Sequence, residues 1–573
     1  MSPAKKGGRT HAASPIVVAA GPVDGVWDDR LVSCVVDENV GLPDSTVLTY
    51  HDDDQELLAE TGITIGSPLR VSVASVLTRA NELLFNGEVT AIEMDVDGTG
   101  TYTVIRAMSK AHRLFRGRRV EAFQNMVASA IVRRVAKNAG LTVGRVETER
   151  ITYKHLSQPG VSDWDFLQML AREHGAVVQV DDKGKLEFTK LKPAKPAPAP
   201  TTSAYDNAMV LEFDNNLLAL RAGLSSVELA NGVEVRSWDV DRKKALVATR
   251  DNTPSTTTVP GLSAIKAAKA FRTKNRTLAT DVPYTTQAEA LAAASSLEAS
   301  ISAGFAELEA VVWGNPKLRA GVPITLGGKV AKAFSGRYTA TAVSHVLEPQ
   351  RGYRTVVEVS ASHDRSLAGL TAHGASAAAP RMPGLAIGIV TDIKEKGGQR
   401  GWVKLKFPWL DDKYVSGWVR TVQLGGVGGG GVFSPDVNDE VLVGFEQGSL
   451  NRPYVLGGLY NGVDQPSRHD LPLVDRRSGK VNRRSLVSRT GQRLELLDGA
   501  RTSGVRVASG DNQLEIRLDE RRGRLELNVR GPGRRVLSTL RLDSRGITLD
   551  AKNITLDAKN GFVKINGRRI LLN

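Results

Sequence analysis

The spacing of apolar residues along the chain predicts a mixed α and β amino-terminal region. Apolar side chains recur every three or four positions over residues 123–135, and again over 162–175 behind a serine suited to cap a helix. Alternation over 176–180 and 185–189, on either side of a short turn, predicts a hairpin. We therefore expect two helices, the second of which leads into a small sheet.

The following region continues this mixed pattern. An alanine-rich stretch at 288–311 predicts a long helix, and alternation over 322–326, 336–347 and 353–362 predicts strands. Glycine and proline separate these strands, as is typical of small β-barrels. The decapeptide at 191–200 alternates proline with alanine and lysine, which predicts an extended linker or a long exposed loop.

From residue 384 onward the chain is predicted to be almost entirely β. Five short strands separated by glycine clusters have the number and spacing of a small closed barrel, and they cover 386–392, 401–407, 416–420, 440–445 and 454–459. Shorter strands follow at 493–496, 505–507, 514–518, 525–529 and 540–542. The segment ITLDAKN then occurs twice in succession, at 547–553 and 554–560, followed by the related segment 562–566.

Alternation in this carboxyl-terminal region leaves one apolar face on each unit of strand and turn. Leu514, Ile516 and Leu518, for example, alternate with charged residues. A single chain of such units buries little apolar surface. We therefore expect stacking or wrapping with other copies, which would produce an elongated β-helical rod.

Composition limits the class of protein. A chain of 573 residues and 61.5 kDa predicts about three or four domains. No apolar run approaches the roughly 18 residues of a spanning helix, and no secretory signal of ordinary form is recognised. The single cysteine, Cys34, forms no internal disulfide, and we interpret it as a small packed residue of a protein assembled in a reducing cytoplasm.

The net charge of +14 is concentrated near the carboxyl end. Residues 466–573 contain 24 Lys and Arg, 20 of them Arg, against 12 Asp and Glu, so this segment carries +12 of the total. The preceding residues carry only +2, which argues against a generally basic surface. The arginine-rich segment suits either a solvated surface or contact with anionic membranes.

The predicted barrel resembles the OB-fold of phage-spike and VgrG proteins. Residues 401–409 fit a G-x-V-x-x-x-F-P-W pattern, 418–420 a W-V-R strand, and 435–446 a P-x-x-G-D-E-V-L-V-G-F-E pattern in which Asn438 replaces glycine. Residues 452–461 complete the block. More weakly, 162–175 is similar to a helix in the hub of these proteins, and the segment from Phe334 to His345 to their hub-closing strand.

This resemblance implies a mainly β fold with an α+β amino-terminal hub that contains small β-barrels, an OB-fold barrel and a trimeric β-helix needle shaped as a prism. The corresponding boundaries are 1–371 for the hub, with the Pro-rich segment 191–200 inserted, 372–383 for a linker, 384–462 for the OB-fold, 463–490 for a bridge and 491–573 for the needle.

The function implied is that of a structural spike and hub in a contractile injection system, either phage-tail-like and extracellular or related to type VI secretion. The partners implied are two further copies of the chain, a PAAR-like tip protein, Hcp-like inner-tube proteins, baseplate proteins and effector cargo, with transient contact to a target membrane. Such a protein assembles in the cytoplasm and is delivered to or through a target envelope. It is expected to bind no nucleic acid and to need no active site or cofactor.

Candidate chemical sites are few. Asp163, Asp165 and Glu173 are interpreted as a solvated helix face because nothing in the sequence opposes them as an acid and base pair. We interpret His345 as a packed or hydrogen-bonded histidine, and no metal site is predicted. The bridge is too short for an inserted muramidase domain. The blunt apolar end is the predicted contact for the tip protein, and it consists of Ile570, Leu571, Leu572 and Asn573.

An alternative function remains open from the residues alone. OB-folds bind single-stranded nucleic acids by stacking bases on aromatic side chains beside a basic groove. The barrel carries Trp402, Trp409 and Trp418, and the basic segment follows it. This alternative predicts salt-sensitive nucleic-acid binding in a gel-shift assay.

Overall fold

The protein is built mainly from antiparallel strands in the computed structural model described here. The structure describes residues 11–571 except positions 20, 76–79, 228, 252, 254–255, 260, 272–274, 361–381, 383, 398–399 and 427. The predicted linker 372–383 thus lies outside the described residues apart from Met382. The chain divides into two units, Met1–Leu459 and Tyr460–Asn573.

The elements of the first unit up to residue 190 are β1 His11–Val18, β2 Pro22–Val23, α1 Val26–Arg30, β3 Leu31–Asn39, β4 Ser45–His51, α2 Leu57–Thr61, β5 Pro68–Ser75, β6 Asn81–Asp97, β7 Gly100–Ser109, β8 Arg119–Val127, α3 Ala128–Asn138, β9 Thr142–Val146, β10 Thr152–Val161, α4 Asp163–His174, β11 Ala176–Val180 and β12 Lys185–Lys190. The next elements are β13 Val210–Glu212, β14 Leu217–Leu224, β15 Gly232–Asp239, β16 Lys244–Asp251, β17 Thr257–Thr258, α5 Ala264–Lys269, β18 Arg276–Ala279, α6 Gln287–Ala303, β19 Ala306–Trp313, β20 Pro323–Gly327, β21 Gly336–Thr339, β22 Ala342–Glu348 and β23 Gly352–Val359.

The remaining strands of the first unit are β24 Leu385–Asp392, β25 Lys404–Lys406, β26 Arg420–Thr421, β27 Glu440–Phe445 and β28 Pro453–Gly458. The second unit contains β29 Arg483–Val487, β30 Arg493–Gly499, β31 Thr502–Ala508, β32 Leu514–Asp519, β33 Arg524–Arg530, β34 Val536–Asp543 and β35 Gly546–Ala551. The chain is therefore mainly β, and its α-helices all lie in the first unit among the residues that the structure describes.

One eleven-stranded sheet joins the beginning and the end of the hub-like region. Its strand order is β14-β19-β23-β22-β3-β4-β7-β6-β5-β1-β2. The contact between the two halves is the antiparallel pair of β3 with β22, which places His345 opposite Val36. Cys34 and Val36 on β3 are fully buried, so the interpretation of Cys34 as a packed core residue is confirmed.

The helix α4 and the hairpin that follows it form as the sequence predicts. Ser162 caps the helix, with its hydroxyl accepting a hydrogen bond from the backbone N–H of Asp165 at 3.1 Å. Gly175 ends the helix in the left-handed conformation, with φ of 63°. The strands β11 and β12 then pair in register, and α4, α3 and this hairpin enclose one apolar core.

Two predicted helices are shorter than expected because strand pairing takes over part of each. Residues 123–127 belong to β8, which pairs along its length with β10, and α3 begins only at Ala128. Residues 306–311 belong to β19, which lies between β14 and β23 in the large sheet. Apolar spacing did not separate helix from strand at these positions, because the strands that pair with them lie elsewhere in the chain.

The segment 191–200, predicted as a linker or a long exposed loop, is a loop without helix or strand that is exposed only in part. It turns at 194–197, where Ala194 and Ala197 are buried, while Lys192, Pro193, Lys195 and Pro196 are exposed. The carbonyl oxygen of Pro198 accepts hydrogen bonds from Thr325 Oγ1 at 2.6 Å and from Arg337 Nε at 3.1 Å. Because proline lacks a backbone N–H, side chains from neighbouring strands satisfy the carbonyl groups of this segment.

The five strands β24 to β28 form the predicted OB barrel. Their order is β25-β24-β27-β28-β26, and a bridge between Val403 and Val419 joins the two outer strands and closes the barrel. Phe407 is fully buried at the centre of its core. Asn438 adopts φ of 73°, a left-handed conformation that asparagine and glycine tolerate best, which explains why asparagine stands where the resembled family has glycine.

The second unit is a seven-stranded antiparallel meander in which each strand pairs with the next, from β29 to β35. The first copy of the ITLDAKN repeat supplies most of β35. The second copy and residues 562–566 contain no strand within the single chain. A β-helix shared by three chains therefore stays a prediction.

Candidate assembly surface

The meander of the second unit has one apolar face and one charged face. Residues that are directly opposite in adjacent antiparallel strands share a face. Leu494 lies opposite Val507, Val507 opposite Ile516, and Ile516 opposite Leu527, so one set of apolar side chains crosses the sheet. The complete apolar face consists of Leu486, Leu494, Leu496, Val505, Val507, Leu514, Ile516, Leu518, Leu525, Leu527, Val529, Leu540, Leu542, Ile547 and Leu549.

This apolar face is open to solvent in the single chain. Most of its side chains are exposed, and their fractional exposure ranges from 37% at Leu527 to 70% at Ile547. A groove of about 380 Å³ lies among Leu514, Ile516, Leu527 and neighbouring residues. Continuous apolar surfaces of this kind mark contact sites with other chains in soluble proteins.

The opposite face carries a network of ion pairs. Glu515 accepts hydrogen bonds from Arg506 Nε at 2.7 Å and from Arg530 Nη2 at 2.7 Å. Glu495 lies beside Arg493, Arg506 and His469, at 3.3, 3.2 and 3.1 Å respectively. Arginines on the two neighbouring strands therefore hold the Glu515 carboxylate from both sides, whereas Glu495 is held by Arg493 of its own strand and by Arg506 of the next one.

These contacts set the protonation of the acidic groups. Burial opposes the ionisation of Glu515, yet the hydrogen bonds and charges of Arg530 and Arg506 hold the pKa of its carboxyl below the ordinary value. Burial likewise opposes the ionisation of Glu495, whose pKa is lowered by His469, Arg506 and Arg493. Part of the positive charge of residues 466–573 is therefore neutralised by carboxylates of the same sheet and is not available to a partner.

The aromatic residues proposed as stacking platforms are engaged within the barrel. Phe407 is fully buried, and the guanidinium carbon of Arg400 lies 3.6 Å from the ring centre of Trp402. The ammonium of Lys404 lies 4.9 Å from the ring centre of Trp418. Trp409 is half exposed and its indole N–H donates to the Ile387 carbonyl at 2.8 Å. Packing is therefore the role that these contacts favour.

The other residues singled out from the sequence lie apart from this surface. Asp163 was expected on a solvated face, but it is buried, where it accepts a hydrogen bond from Gln158 Nε2 at 3.0 Å and lies 3.3 Å from Arg119 Nε. Asp165 is exposed, and Glu173 is half-buried. His345 is fully buried, and its Nδ1 forms a hydrogen bond of 2.9 Å with the Tyr353 hydroxyl, which confirms it as a hydrogen-bonded core residue.

The predicted tip contact is only partly within the described residues. Ile570 is 50% exposed and Leu571 75% exposed, while Leu572 and Asn573 lie outside the described residues.

In the portion of the chain that the structure describes, no helix is both long and apolar enough to cross a membrane. Across those same positions, no group of three or more His, Cys, Asp or Glu residues is arranged to hold a metal ion.

Two contacts that sequence patterns did not reveal hold the first unit together. Arg319 joins Glu38 on β3 to Asp182 in the β11–β12 turn. The Tyr414 hydroxyl of the OB barrel lies 2.7 Å from Ser157 Oγ on β10. Both contacts join residues far apart in the chain, so no local spacing or motif could indicate them.

The OB barrel matches a family of known function. Residues 386–460 match the model of the type VI secretion system/phage-baseplate injector OB domain. Residues 66–349, just under half of the chain, match the model of the Alg8 N-terminal domain. The first match shows that the barrel is similar to this injector OB domain, and it confirms the resemblance to VgrG and phage-spike proteins.

Solved structures of tail and secretion proteins are similar in outline. An Escherichia coli protein described as a type VI secretion component similar to T4 tail proteins gp27 and gp5 is 16% identical, with TM-score 0.47, over 77% of this chain and 99% of that one. One chain of a Francisella PdpA-VgrG complex is 12% identical, with TM-score 0.48, over 91% of this chain and 76% of that one. The 43 kDa tail protein of prophage MuSo2 from Shewanella oneidensis is 15% identical, with TM-score 0.44. This match covers 60% of the present chain and 97% of the tail protein.

Proposed function

We propose that the protein is the homotrimeric spike and hub of a contractile injection system. The observation that carries this proposal is the exposed apolar face of the second unit. Three copies of one sheet, each with its apolar face turned inward, would form a closed prism whose charged faces meet water. Burial of a mostly aliphatic face of this kind stabilises assembly by roughly 25 cal/mol for each Å² removed from water. The number three follows the resemblance to phage-spike and VgrG proteins.

In this role the protein acts mechanically rather than chemically. The amino-terminal region would sit on Hcp-like inner-tube and baseplate proteins, and the prism would pierce a target membrane when the sheath contracts. Effector cargo would travel on the spike, its tip or the tube. Assembly would take place in the cytoplasm before delivery to a target envelope. The ion pairs on the outer face support this role, because they present a satisfied charged surface while the apolar face is covered.

The trimer makes a direct prediction about native mass. Light scattering of the purified full-length protein should give three times 61.5 kDa, and sedimentation of the same sample should indicate an elongated particle. The physical reason is that a single chain leaves the apolar face of the second unit in water. A compact monomer at micromolar concentration would contradict the proposal.

We further propose that a PAAR-like tip protein covers the carboxyl end. The exposed Ile570 and Leu571 would be brought together from three chains at the end of the prism, and a blunt apolar end needs a cover. The full-length protein should retain a co-encoded tip protein in a pull-down assay, and a variant lacking residues 570–573 should lose it. Equal retention of the tip by both proteins would rule out this contact.

A further inference from the structure

A surface of basic side chains lies where the start of β8 and the loop before it meet the end of α3. Its exposed members, which we call the basic patch, are Arg116, Arg118, Arg119, Arg133, Arg134 and Lys137. Arg119 Nη2 donates to the carbonyl oxygen of Asn138 at 3.4 Å, so the loop and the end of the helix form one surface. The helical members share one face of α3 because they are three or four residues apart.

Carboxylates of the same chain neutralise only part of this charge. Arg134 Nη2 lies 2.6 Å from Glu121, and Arg119 Nε lies 3.3 Å from the buried Asp163. The other four members of the basic patch lie within ion-pair distance of no carboxylate in the part of the chain that the structure describes. The patch therefore presents uncompensated positive charge, which attracts an acidic partner.

An exposed aromatic ring lies beside these charges. Phe115, the residue just before the patch, is 43% exposed and stacks on the buried Trp164 with 5.0 Å between the ring centres. Arginine and aromatic side chains are enriched at interfaces between proteins. Their combination at this site is typical of a contact surface for another protein.

The chain carries a surface of opposite charge around α1 and α2. Its exposed members, which we call the acidic patch, are Asp28, Asp29, Asp53, Asp54, Glu56 and Glu60. Trp27 Nε1 donates to Glu60 Oε2 at 2.9 Å, and Arg30 lies 3.7 Å from Asp54. These two contacts hold α1 against the segment 53–60, so the carboxylates form one surface.

Most carboxylates of the acidic patch also lack a basic partner. Within the described residues, the basic groups at ion-pair distance are Arg30 and His51, the latter 3.6 Å from Asp53. Burial and the nearby charges of Asp24 and Asp29 raise the pKa of Asp28, as expected where like charges are crowded. A partner with basic side chains would relieve this repulsion.

The two patches lie at opposite ends of β7. The backbone N–H of Thr101, near the start of β7, donates to Asp53 Oδ1 at 2.9 Å. Arg113, just before the basic patch, donates from Nε to Glu88 at 3.1 Å, and Glu88 lies opposite Met108 near the end of β7. These two points on β7 are about 23 Å apart, because a strand rises about 3.3 Å per residue. In the described residues no ion pair joins the two patches.

We propose that copies of this chain meet head to tail in the amino-terminal region, with the basic patch of each copy docked on the acidic patch of the next. This inference rests on the proposed function, because the trimer brings the three copies together. A contact between two different patches closes into a ring when the rotation between copies matches their number. Each of the three junctions would then pair charges that a single chain leaves unpaired.

Carbodiimide cross-linking of the full-length protein tests this contact. The reagent joins a lysine amine to a carboxyl group without a spacer, so it reports groups in direct contact. At low ionic strength the protein should form covalent trimers, and peptide mapping should find Lys137 linked to a carboxyl group of the acidic patch. The yield of this link should fall about tenfold in about 1 M salt, because exposed charges are then screened within about 3 Å.

Charge reversal provides the second test. Arg116→Glu with Arg118→Glu sets like charges against the acidic patch and should lower the yield of the Lys137 link about tenfold. Addition of Asp28→Arg and Asp29→Arg to the same chain restores opposite charges across each junction. This fourfold variant should recover most of the wild-type yield.

The matched control is Lys243→Glu with Lys244→Glu, which makes the same change in net charge at exposed residues of the β15–β16 turn and should behave as the wild type. Light scattering of every sample checks the trimer separately, because the apolar face of the second unit should hold the charge-reversed variant at three times 61.5 kDa. A wild-type trimer without the Lys137 link, or an equal yield after reversal of the two arginines, would overturn the head-to-tail contact alone. A monomeric wild type would overturn the trimer as well.

Discussion

Replacement of Arg319 by alanine is expected to lower the free energy of unfolding by about 3–5 kcal/mol at pH 8. The guanidinium contacts the buried Glu38, lies 2.9 Å from an Asp182 carboxylate oxygen and donates to the carbonyl oxygens of Leu83 and Leu84 at 2.9 and 3.2 Å. One side chain thus joins β3, β6 and the β11–β12 turn. Its removal would leave the buried Glu38 without its charged partner and two carbonyl groups without this donor.

The pH dependence of this loss identifies its cause. Burial raises the pKa of Glu38 to about 7 despite the opposing charge of Arg319, and the pKa of the neighbouring Asp44 is also raised by burial. A raised folded pKa contributes stability at low pH that disappears as pH rises through the folded value. The loss in Arg319→Ala should therefore be smaller at pH 5, where Glu38 is neutral with or without the arginine.

Urea unfolding of the full-length protein at pH 5 and pH 8 measures both effects. The matched control is Arg351→Ala, which removes a guanidinium that is 74% exposed and 3.7 Å from Glu348. That change should alter stability by no more than about 0.5 kcal/mol at either pH. A loss below about 1 kcal/mol in Arg319→Ala at pH 8, or a larger loss at pH 5, would contradict this role.

The parts of the fold that could be predicted are those set by local sequence. Helix α4 carries its own cap and stop at Ser162 and Gly175, and the OB strands follow the alternation and motifs of their own segments. The two faces of the second unit also follow from alternation, because the pairing of successive strands preserves the side on which each residue lies. Each of these features depends on residues close together in the chain.

The parts that could not be predicted depend on distant pairing. Residues 123–127 and 306–311 have helical spacing but become strands because β10, β14 and β23 supply partners for them. Ala194 and Ala197 of the Pro-rich segment are buried, and Thr325 and Arg337 bind the carbonyl group of Pro198 beside them. Tertiary contacts outweigh local preference in such cases, and no single-sequence pattern reveals them.

The apolar face of the candidate assembly surface could be predicted from the sequence, but the ion pairs on the opposite face of the same sheet could not. Alternation predicted an apolar face that needs other copies, whereas the ion pairs of Glu495 and Glu515 with arginines of adjacent strands required the observed pairing. The charge count alone suggested an unpaired basic segment. The structure instead turns several of these arginines toward carboxylates within the sheet.

The double substitution Ile516→Asp and Leu527→Asp is expected to abolish the trimer. These residues lie opposite each other on β32 and β33, in the middle of the apolar face, where they are 43% and 37% exposed in the single chain. In a trimer the change would place six carboxylates in the apolar interior, and burying even one unpaired charge there costs several kcal/mol. The native mass should fall from three times 61.5 kDa to that of one chain.

Arg517→Gln is the matched control because it changes the residue next to Ile516 on the opposite face of the same strand. Arg517 lies 3.7 Å from Asp519 with 25% of its side chain exposed, so its loss should leave the trimer mass unchanged. Light scattering of both variants separates an interface on the apolar face from a general weakening of the sheet. A trimer that survives both aspartates would mean that copies meet through some other surface, and dissociation by Arg517→Gln would place the contact on the charged face instead.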